Sequence, residues 1–396
     1  MNGNDIVIVS ATRTAIGKFG GQFATTSAIE LGTTVAKAAI QKANLSPEQI
    51  DTVIFGNVLQ AGLGQNPARQ VGLGAGLPHT STAVTINEVC GSGLKAIISA
   101  AQAIRLGDAK IVLAGGMENM SLAPHLLQQR FAPKNGPVTL VDSLFNDGLT
   151  DAYSQDPMGI TAENIVEKYG FTREEQDAFA VASQQKAAKA QEAGRFDSEI
   201  TPVAVFNRKT KSDDLKVTDE FIRPNTTLET LAGLKPSFKK DGTVTAGNAS
   251  GINDGAACVI MTTREYATEL GLPILATLKG YAEAGVDPSI MGIGPVPAIQ
   301  KLVARTRIPL EKVDVFELNE AFAAQSMAVI KDLKIPTEKV NPFGGAIALG
   351  HPIGASGTRI VVTLINALNQ LDGKIGVASL CVGGGMGVAI AIEREQ

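Results

Sequence analysis

Short runs of aliphatic and β-branched residues alternate with longer helical stretches in this chain, and that alternation restricts its fold more than any other feature. Ile6–Ser10 reads as a strand, Ala28–Ala43 as a helix and Thr52–Gly56 as a strand. A turn at Asn87–Gly93 then leads into a helix over Leu94–Ile104 and a strand over Ile111–Ala114. Strands that are apolar throughout belong to a sheet covered on both faces, so the pattern predicts an α/β fold with much of the sheet buried. Near the other end, Ile375 to Ile392 carries no charge for 18 residues, which reaches transmembrane length. Five glycines, at positions 376, 383, 384, 385 and 387, divide it into Ile375–Cys381 and Met386–Ile392, a pair of buried strands around a glycine turn.

From about Ser121 to Ala246 the character changes to polar, proline-containing loops broken by the helix Thr172–Ala193, and we read this as an inserted lobe. Its most charged tract, Asn207–Lys240, is expected to be surface loop, with a ligand role left open. A weak internal repeat sets Ile86-Asn87-Glu88, the Leu94–Ile104 helix and Val112–Gly116 against Leu318-Asn319-Glu320, a helix over Ala323–Leu333 and Val340–Gly345. Two similar halves would bring equivalent turns to a shared seam, where binding sites commonly lie.

Hydrophobic residues make up 44% and charged residues 19%, enough apolar material for a large core. The net charge is −4, with 35 Lys and Arg scattered among 39 Asp and Glu, so no basic stripe recommends nucleic acid or a membrane surface as a partner. Cys90, Cys258 and Cys381 lie too far apart in the chain for a dense disulfide framework or a paired Cys-x-x-Cys zinc site. With no basic leader ahead of the first apolar run, the expected compartment is a reducing cytoplasm.

Chemistry concentrates on three glycine-rich turns. Cys90 stands in Asn87-Glu88-Val89-Cys90-Gly91-Ser92-Gly93, at the mouth of a helix whose free N–H groups and partial positive charge favour a thiolate. It is either a nucleophile or a small buried hydrophobe. His351, one of three histidines, stands in Gly344–Gly357, an expected irregular loop before a helix over Thr358–Leu371, where its imidazole can be aimed at a neighbouring thiol. Cys381 closes a strand before Val382-Gly383-Gly384-Gly385. Cys258 reads as core, and His79 and His125 as surface loop. Two thiols and an imidazole on such turns imply nucleophile and acid/base work, while a metal would need a fuller ligand set.

These blocks, with Gly115-Gly116-Met117-Glu118-Asn119-Met120-Ser121, Gly247-Asn248-Ala249-Ser250-Gly251, Asn319-Glu320-Ala321-Phe322-Ala323 and Gly350-His351-Pro352-Ile353-Gly354, resemble the thiolases from end to end. The resemblance implies a five-layered αβαβα fold: one half over 1–120 with 247–272, a CoA-binding loop domain over 121–246, and a second half over 273–396. It implies condensation of two acetyl-CoA to acetoacetyl-CoA and CoA. It implies Cys90 as the acylated nucleophile, His351 as its base, Cys381 as the acid/base at the α-carbon and Asn319 as the holder of a water, with Gly383 lending a backbone N–H to the oxyanion.

By the same resemblance Arg223 and Ser250 face CoA, Leu234, Ala246 and Met158 line the pantetheine channel, and Met291 and Phe322 close the acyl pocket. Read without it, Arg223 is a surface cation and Met291 and Phe322 are core. The implied partners are the CoA thioesters alone, with no metal and no redox cofactor, in a homotetramer of paired dimers. Pro157 departs from the short-chain pattern, which has histidine there. Alternatives are a degradative 3-ketoacyl-CoA thiolase and a thiolase-like acyl-CoA binder that performs no chemistry.

Overall fold

A computed structural model describes residues 3–131 and 135–395. The first half runs through β1 (Ile6–Arg13), β2 (Gly17–Lys18), α1 (Ala28–Lys42), β3 (Thr52–Gly56), α2 (Pro67–Gly74), β4 (Thr82–Ile86), α3 (Ser92–Leu106) and β5 (Val112–Asn119). The lobe follows with the hairpin β6 (His125–Leu126) and β7 (Val141–Asp142), then α4 (Met158–Tyr169), α5 (Arg173–Glu192), the hairpin β8 (Val203–Asn207) and β9 (Ser212–Lys216), and α6 (Leu228–Ala232). The chain returns through β10 (Asn253–Thr263) and α7 (Arg264–Glu269). It then builds β11 (Ala276–Gly285), α8 (Pro295–Thr306), β12 (Val315–Leu318), α9 (Ala323–Leu333), α10 (Ala346–Leu349), α11 (Ile353–Gln370), β13 (Ile375–Val382) and β14 (Met386–Arg394).

Local chemistry starts these helices where it should. Ser27 caps α1, taking the Glu30 N–H while the Glu30 carboxylate takes the Ser27 N–H at 2.7 Å; Thr172 and Glu175 repeat the device on α5.

The main sheet runs β12-β13-β14-β11-β1-β10-β5-β3-β4, with β2 paired to β10. Side chains alternate across it and so divide between two kinds of core. Ile6 and Ile8 of β1, Val259 and Met261 of β10, and Val388 and Ile390 of β14 face a central layer made by α3 and α11. Val7 and Val9 face the other way, onto Leu31 and Val35 of α1, while Ala389 and Ala391 of β14 face Ile299 of α8 and Val329 of α9. The sheet, joined between β1 and β11 by only two residue pairs, thus covers α3 and α11 from both sides, and the result is five layers, helix, sheet, helix, sheet, helix, as expected.

The two halves repeat, but in a different register from the one the sequence suggests. β3 lies between parallel β4 and β5, and β12 lies between parallel β13 and a bridge from Phe316 to Val340. From β5 and from β13 the pairing continues antiparallel, through β10 to β1 and through β14 to β11. The counterpart of α3 is therefore α11, its partner in the central layer, and not α9, which lies in an outer layer. The two Asn-Glu pairs misled because they follow strands that are not counterparts: Asn87 leaves β4, which the bridge at Val340 matches in the second half, whereas Asn319 leaves β12, which matches β3.

Two further expectations change. The 207–240 tract is more than a solvated excursion, since Asp219 within it is buried and accepts two hydrogen bonds of 2.8 Å from Arg13 of β1, which also reaches Glu199 at 2.6 Å. The helix after His351 begins at Ile353, five residues before its expected start, for a reason that belongs to the site. The uncharged Ile375–Ile392 stretch forms β13 and β14, and among the described residues no helix is long and apolar enough to cross a membrane.

Candidate active site

Cys90 follows β4 on a turn locked by its own polar groups. The Val89 N–H donates to Asn87 Oδ1 at 3.0 Å, and Ser92 Oγ takes the Glu88 N–H at 2.8 Å while donating to the Val89 carbonyl at 2.6 Å. This bends Val89 to φ 48°, a left-handed conformation that costs a β-branched residue about 1–3 kcal/mol. The strain turns the next residue, half-buried Cys90, into the mouth of α3.

His351 occupies the equivalent place in the other half, at the start of α11. Its backbone N–H donates to Asn253 Oδ1 at 2.9 Å, and Asn253 in turn holds the Gly17 carbonyl. The two central helices touch at their first turns. A Cβ on Gly357 would stand 2.2 Å from the Leu94 nitrogen, and one on Gly93 2.7 Å from the Thr358 nitrogen. Of the glycines in the expected irregular loop, Gly354 and Gly357 are thus helical, and the missing side chains of Gly357 and Gly93 let α3 and α11 bring Cys90 and His351 to one seam.

Asn319 leaves β12 with its N–H bonded to Ser379 of β13 at 3.0 Å, and its Nδ2 lies 3.5 Å from His351 Nε2. Its Oδ1 is buried without a partner among the described residues. The next residue, Glu320, binds Ser183 Oγ, Asn341 Nδ2 and the Ile347 N–H, tying this turn to the segment before His351. Cys381, fully buried near the end of β13, packs with Ala249, Met291, Ala321 and Phe322.

Burial governs the electrostatics. It pushes the Cys90 thiol up to about 11 although the N–H groups of Gly383 and Cys90 itself reach the sulfur and pull the other way. It pushes His351 down to about 3, with the Arg359 charge adding to the effect. Cys381 is raised by burial and then by a charge on Cys90, so the two sulfurs are electrostatic neighbours. At rest the site holds neutral thiols and a neutral imidazole.

A cavity of about 510 Å³ reaches Cys90, His351 and Gly383. Arg223, Ser250, Ala246, Met158, Met291 and Phe322 all line it; Leu234 does not, and packs instead beneath Gly247. Pro157 and Phe238 line it as well, Phe238 meeting Phe322 edge to face at 6.3 Å. The Arg223 guanidinium lies over the Phe221 ring, 4.9 Å from its centroid. Cys258 is core, and His79 and His125 are exposed, His125 on the short strand β6. Among the described residues no group of three or more His, Cys, Asp or Glu could hold a metal ion.

Sequence reasoning missed two supporting residues. Buried Glu118 takes the N–H groups of Val58, Leu59 and Gly354 and the amide of Asn57, pinning the start of α11. Its place in the Gly115–Ser121 block is the only signal it leaves in the sequence. Asn253, which aims the His351 backbone, leaves none.

The chain matches the family of the thiolase N-terminal domain over residues 6–265 and that of the thiolase C-terminal domain over 272–394. An acetyl-CoA acetyltransferase of Cupriavidus necator is 57% identical over 392 residues, 99% of this chain and 100% of its own. The crystal structure of the Bacillus anthracis acetyl-CoA acetyltransferase superposes with a TM-score of 0.96 at 46% identity, covering 99% of each chain. Human mitochondrial 3-ketoacyl-CoA thiolase superposes with a TM-score of 0.95 at 44% identity, covering 100% of each.

Proposed function

This chain belongs to the thiolase family, and from that premise we propose that it condenses two acetyl-CoA to acetoacetyl-CoA and CoA, reversibly, through an acetyl group carried on Cys90. The observation that carries the reading is the cavity whose floor brings together Cys90, His351 and the Gly383 backbone under an apolar lid of Met291 and Phe322.

In the first half-reaction Cys90 Sγ attacks the thioester carbonyl as its proton passes to His351 Nε2. A thiol and an imidazole both held neutral by burial favour transfer during attack over a preformed ion pair. The N–H groups of Cys90 and Gly383, already aimed at the sulfur, suit the tetrahedral oxyanion. CoA leaves with the proton of Cys381. In the second half-reaction the Cys381 thiolate takes an α-proton from a second acetyl-CoA, and the enolate oxygen is met by the proton on His351 and a water accepted by the buried Oδ1 of Asn319. The enolate carbon attacks acetyl-Cys90, and the departing Cys90 thiolate recovers its proton from His351. Protons and electrons balance with no redox partner, and no step calls for a metal.

The lobe over 121–246 supplies the channel for CoA, with Met158 and Arg223 on its wall between the halves over 1–120 with 247–272 and over 273–396. The edge strand β4 with exposed Val84, and exposed Phe131 and Tyr153, are surfaces that assembly into a tetramer would cover. We place the enzyme in the cytoplasm with the CoA pool.

Mass spectrometry after mixing with acetyl-CoA tests the central step. The wild-type chain gains one acetyl group on Cys90, and Cys90→Ser neither turns over nor accumulates the adduct, because a hydroxyl is far harder to ionise. An undiminished adduct in the variant removes Cys90 from the mechanism.

A further inference from the structure

Ser356 sits on the first turn of α11, almost fully buried, and its Oγ lies 2.5 Å from His351 Nδ1. The same hydroxyl lies 2.8 Å from the Pro352 carbonyl, to which it donates. On the far side of the ring, Nε2 faces the amide nitrogen of Asn319 at 3.5 Å. A hydroxyl has one proton and a neutral imidazole has one N–H, so the contacts can be assigned. If Nε2 carried the proton, it would point at the N–H of Asn319, donor against donor. If Nδ1 carries it, every contact pairs: Nδ1–H to Ser356 Oγ, Ser356 O–H to Pro352, and Asn319 N–H to a bare Nε2.

We propose that Ser356 is a positioning residue of the reaction: by taking the Nδ1–H of His351 it holds the imidazole in the one tautomer whose Nε2 keeps its lone pair. The inference rests on His351 serving as the base for Cys90. A base must present a lone pair to the proton it removes, and without a fixed partner at Nδ1 the ring would divide between two tautomers, one of them unable to accept. Ser356 also ties the ring to its own helix, since Pro352 is the residue from which α11 starts. The imidazole is thus oriented by the secondary structure that carries it.

Nitrogen NMR of enzyme labelled at its three histidines reads the tautomer directly, with His351→Gln identifying the signal. Expected in the wild type is a protonated Nδ1 and an unprotonated Nε2; a proton on Nε2 overturns the proposal, whatever any variant does. In Ser356→Ala the His351 signal moves toward mixed tautomers, and the rate of Cys90 acetylation by acetyl-CoA falls roughly 10- to 100-fold with little change in KM. Ser356→Thr, which keeps the hydroxyl, regains most of that rate, as a general packing defect would not allow. Acetylation in Ser356→Ala within about twofold of wild type also overturns the proposal. The underlying reading fails separately: it falls if His351→Gln acetylates Cys90 at the wild-type rate, whereas an inactive His351→Gln beside an unimpaired Ser356→Ala refutes Ser356 alone.

Discussion

Cys90 and His351 line one cavity, Cys381 lies fully buried beside Cys90, and in the proposed mechanism these environments decide the order in which protons move. With burial pushing the Cys90 thiol up to about 11, its thiolate fraction grows about tenfold per pH unit through the neutral range. Alkylation of Cys90 by iodoacetamide should therefore climb steadily from about pH 6 to pH 9, with no plateau near neutrality; a plateau would mean a preformed thiolate and imidazolium. The proposed mechanism gives Cys381 a different task, so its substitution should separate the half-reactions. Cys381→Ala should still acetylate Cys90, because a CoA thiolate can leave without an acid, but should lose condensation by several orders of magnitude for want of a base at the α-carbon. Deuterium washout from labelled acetyl-CoA checks this, and equal loss of both steps would make Cys381 structural.

Helices α3 and α11 set how close Cys90 and His351 can come, and they do so through missing side chains. Gly357→Ala places a methyl group 2.2 Å from the Leu94 nitrogen, a backbone atom that can yield only if one helix moves. We expect a loss of about 1–3 kcal/mol in urea denaturation, together with slower Cys90 acetylation, as the first turns separate. Gly233→Ala serves as control: its nearest neighbour lies 3.8 Å away, and it should change stability by no more than about 0.5 kcal/mol. A Gly357→Ala variant as stable and fast as the control would show that the contact is not what holds the seam.

At the scale of the whole molecule the cavity is a joint product: the first half contributes Cys90, the second His351, Met291 and Phe322, and the lobe Pro157, Met158 and Arg223. Arg13, buried with Asp219 and Glu199, fastens the lobe to β1 and so keeps that wall in place. Because the proposed acyl end and CoA channel come from different parts of the chain, their variants should separate. Met291→Ala should raise the rate with 3-ketohexanoyl-CoA relative to acetoacetyl-CoA, since each methylene accommodated is worth about 1–3 kcal/mol. Pro157→His should change KM for acetoacetyl-CoA with little effect on that ratio. Steady-state rates with both substrates decide, and a ratio that moves with Pro157 but not with Met291 would reverse the assignment of the two walls.

The amino-acid sequence alone determined whatever depends on neighbours along the chain. Its strand and helix periods predict an α/β fold with a buried sheet, the five layers coming only from the resemblance to thiolases, and three glycine turns mark Cys90, His351 and Cys381 before any geometry is known. It could not determine what depends on which turns meet. The Asn-Glu match chose α9 as the counterpart of α3 because residue identity carries no information about strand correspondence, which hydrogen bonding across the sheet assigns. Gly354 and Gly357 looked like loop residues because a glycine required for helix contact and one required for a turn are the same letter. Asn253 lies 98 positions from His351, and Glu118 236 positions from Gly354, so their roles arise only when long-range hydrogen bonds close. The neutrality of Cys90 and His351 is likewise a tertiary result, since it comes from the removal of water by residues drawn from both halves.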